Sequence, residues 1–235
     1  PDVAVLVATI RALEHHGGAD TTAAGATADP LGRGLANLDR HVANLRHFGV
    51  SVVVALNRFE GDDPAQHARV LAHCRERLGV PAQLCDHFAA GGEGALDLAE
   101  TVAALADGPT AGFRPLYSDG VGLWAKLEMV ACTVYGAGGC EPTPTARRRF
   151  GEFEDLGYGT LPICVAKTPY SFSADPTRLG APGGHVLPVR DARLCAGAGF
   201  VVALCGDVTT MPGLPRRPAA ERIGLDADGR IHGLF

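Results

Sequence analysis

Lysine is almost missing from this chain: Lys126 and Lys167 are its only two. Arginine supplies nearly all the positive charge, a bias that reads as a GC-rich genome rather than as chemistry. Lysine plus arginine number 21 against 26 acidic residues, a formal net charge of −5. No basic stripe exists, which argues against nucleic acid as the main partner. No apolar run reaches the roughly 20 residues that a membrane-spanning helix needs, and no signal-peptide pattern is visible, so no membrane partner is expected. The seven cysteines are widely spaced and contain no Cys-x-x-Cys pair. That pattern predicts buried free thiols in a reducing cytoplasm, Cys164 and Cys205 in apolar runs among them, rather than disulfides or a zinc site. Several catalytic frames are also absent. There is no Gly-x-x-x-x-Gly-Lys-Ser/Thr phosphate loop, no His-Glu-x-x-His, and no Gly-x-Ser-x-Gly nucleophile elbow. His15 and His16 are adjacent, so on regular structure they point apart, and no metal site is expected.

What is present is a core. Hydrophobic residues make up 46% of the 235 positions and charged residues 20%, which suits one large or two smaller globular domains and excludes global disorder. The most informative stretch is Val50 to Phe59, Val-Ser-Val-Val-Val-Ala-Leu-Asn-Arg-Phe. Its β-branched run is too short for a buried helix and has no polar alternation, the pattern of a strand covered on both faces in a parallel α/β sheet. Asp2 to Ile10 reads as a second buried strand by the same criteria. The chain enters it directly from Pro1, which suggests a piece of a longer protein.

Between these strands, Ala19 to Gly34 is small and polar and reads as a loop. Leu35 to Phe48 reads as a helix, with Leu35, Leu38, Val42, Leu45 and Phe48 on one face. The result is a βαβ unit. Gly61 to Pro64 is strong punctuation and marks a domain boundary. After it, Asp63 caps a helix running to about Leu78, with Pro64 in its first position. A short strand follows at Ala82 to Cys85, and a helix from Ala95 to Leu105. Val121 to Val134 and Pro144 to Leu156 read as two further helices, the second bearing Arg147, Arg148 and Arg149 on a solvated face. Strands are predicted at Leu161 to Ala166, His185 to Arg190 and Gly199 to Cys205, with an edge strand at Arg230 to Phe235. The fold class is α/β, with parallel or mixed sheets flanked by helices, laid out like a P-loop nucleotide-binding sheet but without the P-loop.

In open α/β sheets, ligands sit beyond the carboxyl ends of the strands. That rule selects Asn57, Arg58 and Phe59, then Phe88, Lys167 with Thr168, and the Gly206 to Pro215 loop. An Asn can read a purine edge with its amide donor and its carbonyl. Phenylalanines can stack on a planar heterocycle, although by composition alone both Phe59 and Phe88 read first as ordinary core residues. Gly91, Gly92 and Gly94 around Glu93 precede a helix N-terminus, where anions are favoured, although a plain turn needs no ligand.

Longer motifs then carry a resemblance. Val7 to Gly18, Asn37 to Gly49 followed by Val52 to Phe59, Gly91 to Gly94, Phe153 to Pro162, Ala166 to Thr168 with Tyr170 to Ser173, Ala196 to Phe200, and Gly206 to Pro215 with Pro218 to Arg222 all resemble stretches of formate–tetrahydrofolate ligases. They occur in order along the whole chain. Glu14 departs from the basic residue usual in that family, and Glu60 from its frequent Pro.

The resemblance implies an enzyme that joins formate to tetrahydrofolate at the expense of ATP. Formate attacks the γ-phosphate to give formyl phosphate, and the folate N10 takes the formyl group. ATP would come with Mg2+, a monovalent cation (K+ or NH4+) would support the enzyme, and a homotetramer would form. By the same resemblance Asn57 lies near the nucleotide, Phe59 stacks on the folate, and Phe88 stands where a Trp usually covers the other pterin face. Met211, Pro212, Gly213, Leu214 and Pro215 would cover the adenine. Arg11, Glu93, Lys167 and Thr168 would stand near the cleft. The P-loop Lys and the catalytic Arg of the family have no counterpart in these residues, so no catalytic residue is assigned. Residues 1–60 would be the tail of a nucleotide-binding domain, and 61–235 a C-terminal domain with folate and nucleotide contacts. The alternative is a non-catalytic chain that binds folate or only oligomerises.

Overall fold

The computed structural model describes residues 1–19, 28–109, 112–208 and 216–233. Strand β1 (Val3–Thr9) runs directly into helix α1 (Ile10–His16), because the Thr9 hydroxyl ends the strand by accepting the Ala12 N–H at 3.0 Å. Helix α2 (Pro30–His47) and strand β2 (Ser51–Asn57) complete the predicted unit, with β1 and β2 parallel in register Val3 opposite Ser51 through Thr9 opposite Asn57. The helix starts five residues before the predicted Leu35. Asp29 accepts the Gly32 N–H at 3.0 Å and Pro30 occupies the first turn, a cap hidden in what reads as loop composition.

Helix α3 (Pro64–His73) begins as expected, with the Asp63 carboxylate accepting the Ala65 N–H at 2.8 Å. It ends in a single π turn over Cys74–Leu78, and Gly79 closes it at φ 59°, where a Cβ would be strained. Strand β3 (Ala82–Cys85) then pairs in parallel with β2, so the first sheet, β1-β2-β3, extends on both sides of the Gly61–Pro64 turn. Short α4 (His87–Ala90), a 3₁₀ turn (Gly91–Ala95) and α5 (Leu96–Ala106) follow.

The middle strand is covered on both faces: Val52 through Leu56 are all 5% exposed or less. One face packs on Leu13, Leu35, Leu38, Val42 and Val70 of α1, α2 and α3. Strand β1 departs from its prediction. It lies at the sheet edge, and Val5 and Val7 are 43% and 58% exposed. Helix α5 packs on the same sheet yet contains no fully buried residue.

The second half is built from α6 (Leu123–Thr133), β4 (Gly139–Pro142), α7 (Pro144–Asp155), β5 (Ile163–Ala166), β6 (Val186–Cys195) and β7 (Phe200–Cys205). Their four-stranded sheet has order β4-β6-β7-β5; β4 with β6 and β5 with β7 are parallel, while β6 and β7 form an antiparallel hairpin. Leu123, Leu127, Phe150, Phe153, Leu187, Val189 and Val201 fill its core. Lys126, one of the two lysines, is fully buried there, and its ammonium donates to the Gly159 and Leu161 carbonyls at 3.0 and 3.1 Å. Strands β8 (Gly224–Leu225) and β9 (Ile231–His232) make a small hairpin in place of a longer edge strand.

All seven cysteines are free; Cys205 is buried as predicted, but Cys164 is exposed. Arg148 and Arg149 of the solvated α7 face pair with Glu152 and Asp191. Among the described residues, no helix is long and apolar enough to cross a membrane. The two sheets are tied by side chains of α2: Asn37 donates to the Gly180 carbonyl at 2.8 Å and Asn44 to the Val134 carbonyl at 2.9 Å.

Candidate functional site

Phe59 stands two residues beyond β2, at the carboxyl end of the first sheet. Its position is set by the turn that follows. The Phe59 N–H donates to Asp62 Oδ2 at 2.9 Å, and the same oxygen lies 3.1 Å from Nε2 of His67, which is 4% exposed on α3. A buried carboxylate–imidazole pair therefore holds the turn on the helix beneath it. The Arg58 N–H donates to the Cys85 carbonyl at 2.9 Å, and its guanidinium pairs with Asp86 at 3.2 Å. The ends of β2 and β3 are thus joined by one backbone bond and one ion pair.

Beyond them opens a cavity of about 560 Å³, lined by Arg11, Arg58, Phe59, Glu60, Asp86, Phe88 and Ala89. Phe88 comes from α4 and is 94% exposed; Phe59 is 40% exposed. Large apolar rings left this open in a chain with a full core suggest groups waiting for a planar partner. Neither is a core residue. The Arg11 guanidinium lies 5.0 Å from the centre of the Phe59 ring and donates to the Glu60 carbonyl at 3.4 Å, so one face of the ring is already flanked by a cation.

The glycine stretch before α5 has a packing role. The Gly94 carbonyl accepts the Asp86 N–H at 2.9 Å, and a Cβ on Gly94 would stand 2.4 Å from the Asp86 carbonyl carbon. Only glycine lets this turn close under Asp86.

The residues selected from the sequence separate into groups. Arg11, Phe59 and Phe88 meet in this cavity. Asn57 is half-buried at the end of β2, in register with Thr9 and Cys85, and does not line it. Glu93 lies in the exposed 3₁₀ turn, also outside the lining. Lys167 and Thr168 follow β5 in the other sheet and line a different cavity of about 250 Å³, shared with His16, Asn37 and His41. Met211 through Pro215 lie outside the described residues. Asp86 is the site residue that sequence reading missed. The signal was available, since it immediately follows a predicted strand. Among the described residues no group of three or more His, Cys, Asp or Glu side chains is placed to hold a metal ion.

The family model described as formate–tetrahydrofolate ligase matches residues 1–235. The chain belongs to the formate–tetrahydrofolate ligase family. It is 56% identical over 236 residues to a protein named formate–tetrahydrofolate ligase from Paracoccus denitrificans (strain Pd 1222). Similar relatives of the same name are 53% identical over 235 residues in Hyphomonas neptunium (strain ATCC 15444) and 52% over 236 residues in Beijerinckia indica subsp. indica. In each case all of this chain is covered, and it spans 42% of the relative's length. Membership in this family agrees with the resemblance carried by the motifs.

Proposed function

We propose that this chain supplies the folate-holding part of an ATP-dependent formate–tetrahydrofolate ligase, with the pterin ring between Phe59 and Phe88. The observation that carries this reading is that both exposed rings line one cavity at the carboxyl ends of β2 and β3. Stacking of a flat heteroaromatic ring is worth about 0.5–1.5 kcal/mol per aromatic pair beyond the area buried. Phe88 in place of the usual Trp keeps the stacking face and gives up the indole N–H donor. The Arg58–Asp86 pair at the cavity wall supplies a donor and an acceptor with which to orient polar edges of the ligand.

In the assembled enzyme, formate would attack the γ-phosphate of ATP, and the N10 amine of the folate would take the formyl group from formyl phosphate. Phosphoryl transfer is mostly positioning and charge stabilisation. No phosphate-loop frame occurs in these 235 residues, so that chemistry belongs to the longer protein that the relatives' length implies. ATP, formate and tetrahydrofolate would be its substrates, with Mg2+ on the nucleotide, a monovalent cation, a homotetrameric state and a cytoplasmic location. Asn57 and Met211 to Pro215 would face the nucleotide. The uncovered Val5 and Val7 of β1 and the apolar α5 favour a second statement: this part packs against further chain along that side of the first sheet.

Titration with a tetrahydrofolate analogue, followed by difference absorbance, tests the folate reading. Saturable binding that weakens about tenfold in Phe59→Ala is expected from the loss of one stacking face and its buried area. No binding at millimolar ligand would sink it.

A further inference from the structure

The cavity of about 250 Å³ at the end of β5 differs in character from the folate cavity. It lies between the two halves of the chain. His16, Asn37 and His41 of α1 and α2 line one side, and Lys167, Thr168 and Tyr135 line the other. No carboxylate is among the described residues that line it.

The polar groups here are mainly donors with capacity to spare. The Lys167 ammonium donates to the Thr168 carbonyl at 2.8 Å and to the Ser171 carbonyl, and sits 4.9 Å from the Tyr135 ring centre. Two of its three N–H groups are thus used, which fixes the ammonium and leaves one N–H. His16 Nδ1 accepts the Gly180 N–H at 3.3 Å, which puts the proton of the neutral ring on Nε2 as a donor. Thr168 Oγ1 accepts the Tyr170 N–H at 3.2 Å and keeps its own O–H to give. The His41 ring leans on Phe172, 4.7 Å between centres.

Burial lowers the pKa of Lys167 and of His41, and His41 is pushed further down by His16 and Lys167. His185 is 6% exposed and close to the Phe172 backbone but outside hydrogen-bond geometry; neither of its ring nitrogens has a partner. Its pKa is lowered by burial and then by Arg178, Lys167 and Arg40. Arg178 acts in turn on Asp175, which is exposed. The Lys167 ammonium stands in a lining whose described residues include no carboxylate, and the Arg40 guanidinium lies 5.9 Å from the ring centre of Phe172, which also lines it; together they create a positive potential that an anion relieves.

We propose that this cavity binds a small oxyanion, phosphate or carboxylate in type, held by Lys167, His16, His41 and Thr168. The site is distinct from the Phe59–Phe88 cavity, and the proposal does not depend on folate binding.

The test uses the 235-residue chain, with inorganic phosphate and formate as separate probes at constant ionic strength. The histidine Cε1–H resonances are followed by NMR. Either probe should shift His16 and His41 saturably and leave His87 and His232 unmoved. Phosphate alone would mark a tetrahedral phosphoryl ligand, and formate alone a carboxylate. Charge-assisted hydrogen bonds are worth about 1.5–3 kcal/mol, so Lys167→Met should weaken binding about tenfold or more. His41→Gln and Thr168→Val should each weaken it several-fold, and they decide the matter if Lys167→Met does not fold. No saturable shift with either probe, or affinity unchanged in folded variants, overturns the proposal.

Discussion

The two sheets of this chain are finished to different degrees. In the four-stranded sheet, helices α6 and α7 pack their apolar faces down, and Leu123, Leu127, Leu187, Val189 and Val201 are wholly buried. In the three-stranded sheet only β2 reaches that state, while β1 shows Val5 and Val7 to solvent and α5 buries none of its residues fully. Both sheets contain comparable apolar strands, so hydrophobicity alone does not explain the contrast. The difference is that α6 and α7 close over β6 and β7, whereas the first sheet leaves apolar residues of β1 and α5 uncovered, the side on which the proposed further contact would form. The Phe59–Phe88 cavity belongs to the sheet with the uncovered side.

This contrast can be broken or sharpened by mutation. The largest effect is expected in the closed unit: Leu127→Ala should cost about 4 kcal/mol in chemical unfolding, near the upper part of the range for buried Leu truncation. Lys126→Met keeps the volume but leaves the Gly159 and Leu161 carbonyls unpaired, and should cost about 3 kcal/mol. If Lys126→Met proves neutral, the lysine is packing rather than pinning the approach to β5. In the first unit, Asp63→Ala removes the cap of α3 and should cost about 1 kcal/mol.

A smaller, pH-dependent effect should come from Asp29. The Arg69 guanidinium and then the Gly32 N–H hold its carboxyl down to about 2. An unfolded-state Asp titrates near about 3.9, so the stabilisation is complete above that pH and is lost as pH falls toward 2. The melting temperatures of the parent chain and Asp29→Asn should therefore converge on acidification. Being exposed, the pair is screened and the gap should be modest at all pH values. The smallest effect is Val7→Thr, within about 0.5 kcal/mol in this chain because the side chain is already in water. In a longer family member that covers β1, the same substitution should cost measurably more. Equal costs in both would remove the argument for a covered side.

Much of this was legible from local chemistry. The β-branched run of β2, the Asp63–Pro64 cap and the strand at Ala82–Cys85 each depend on a few neighbouring residues. The failures share a cause in tertiary context. β1 has the same apolar run as β2, and only pairing shows that it is an edge. β4 is four residues, Gly-Cys-Glu-Pro, whose strand character comes from β6, nearly fifty residues on. At the site, the strand-end rule reached Phe59 and Lys167 equally well. It could not show that they open into separate cavities, because that depends on how the two sheets are set against α1 and α2.

The central claim is that Phe59 and Phe88 grip a single pterin ring. A double-mutant cycle on folate-analogue binding, with Phe59→Ala, Phe88→Ala and the pair, tests it most directly. If both rings stack on one ligand, each single change weakens binding about tenfold, and the double change departs from additivity by at least about 0.5 kcal/mol. Additive losses, or binding that ignores either substitution, would contradict the account.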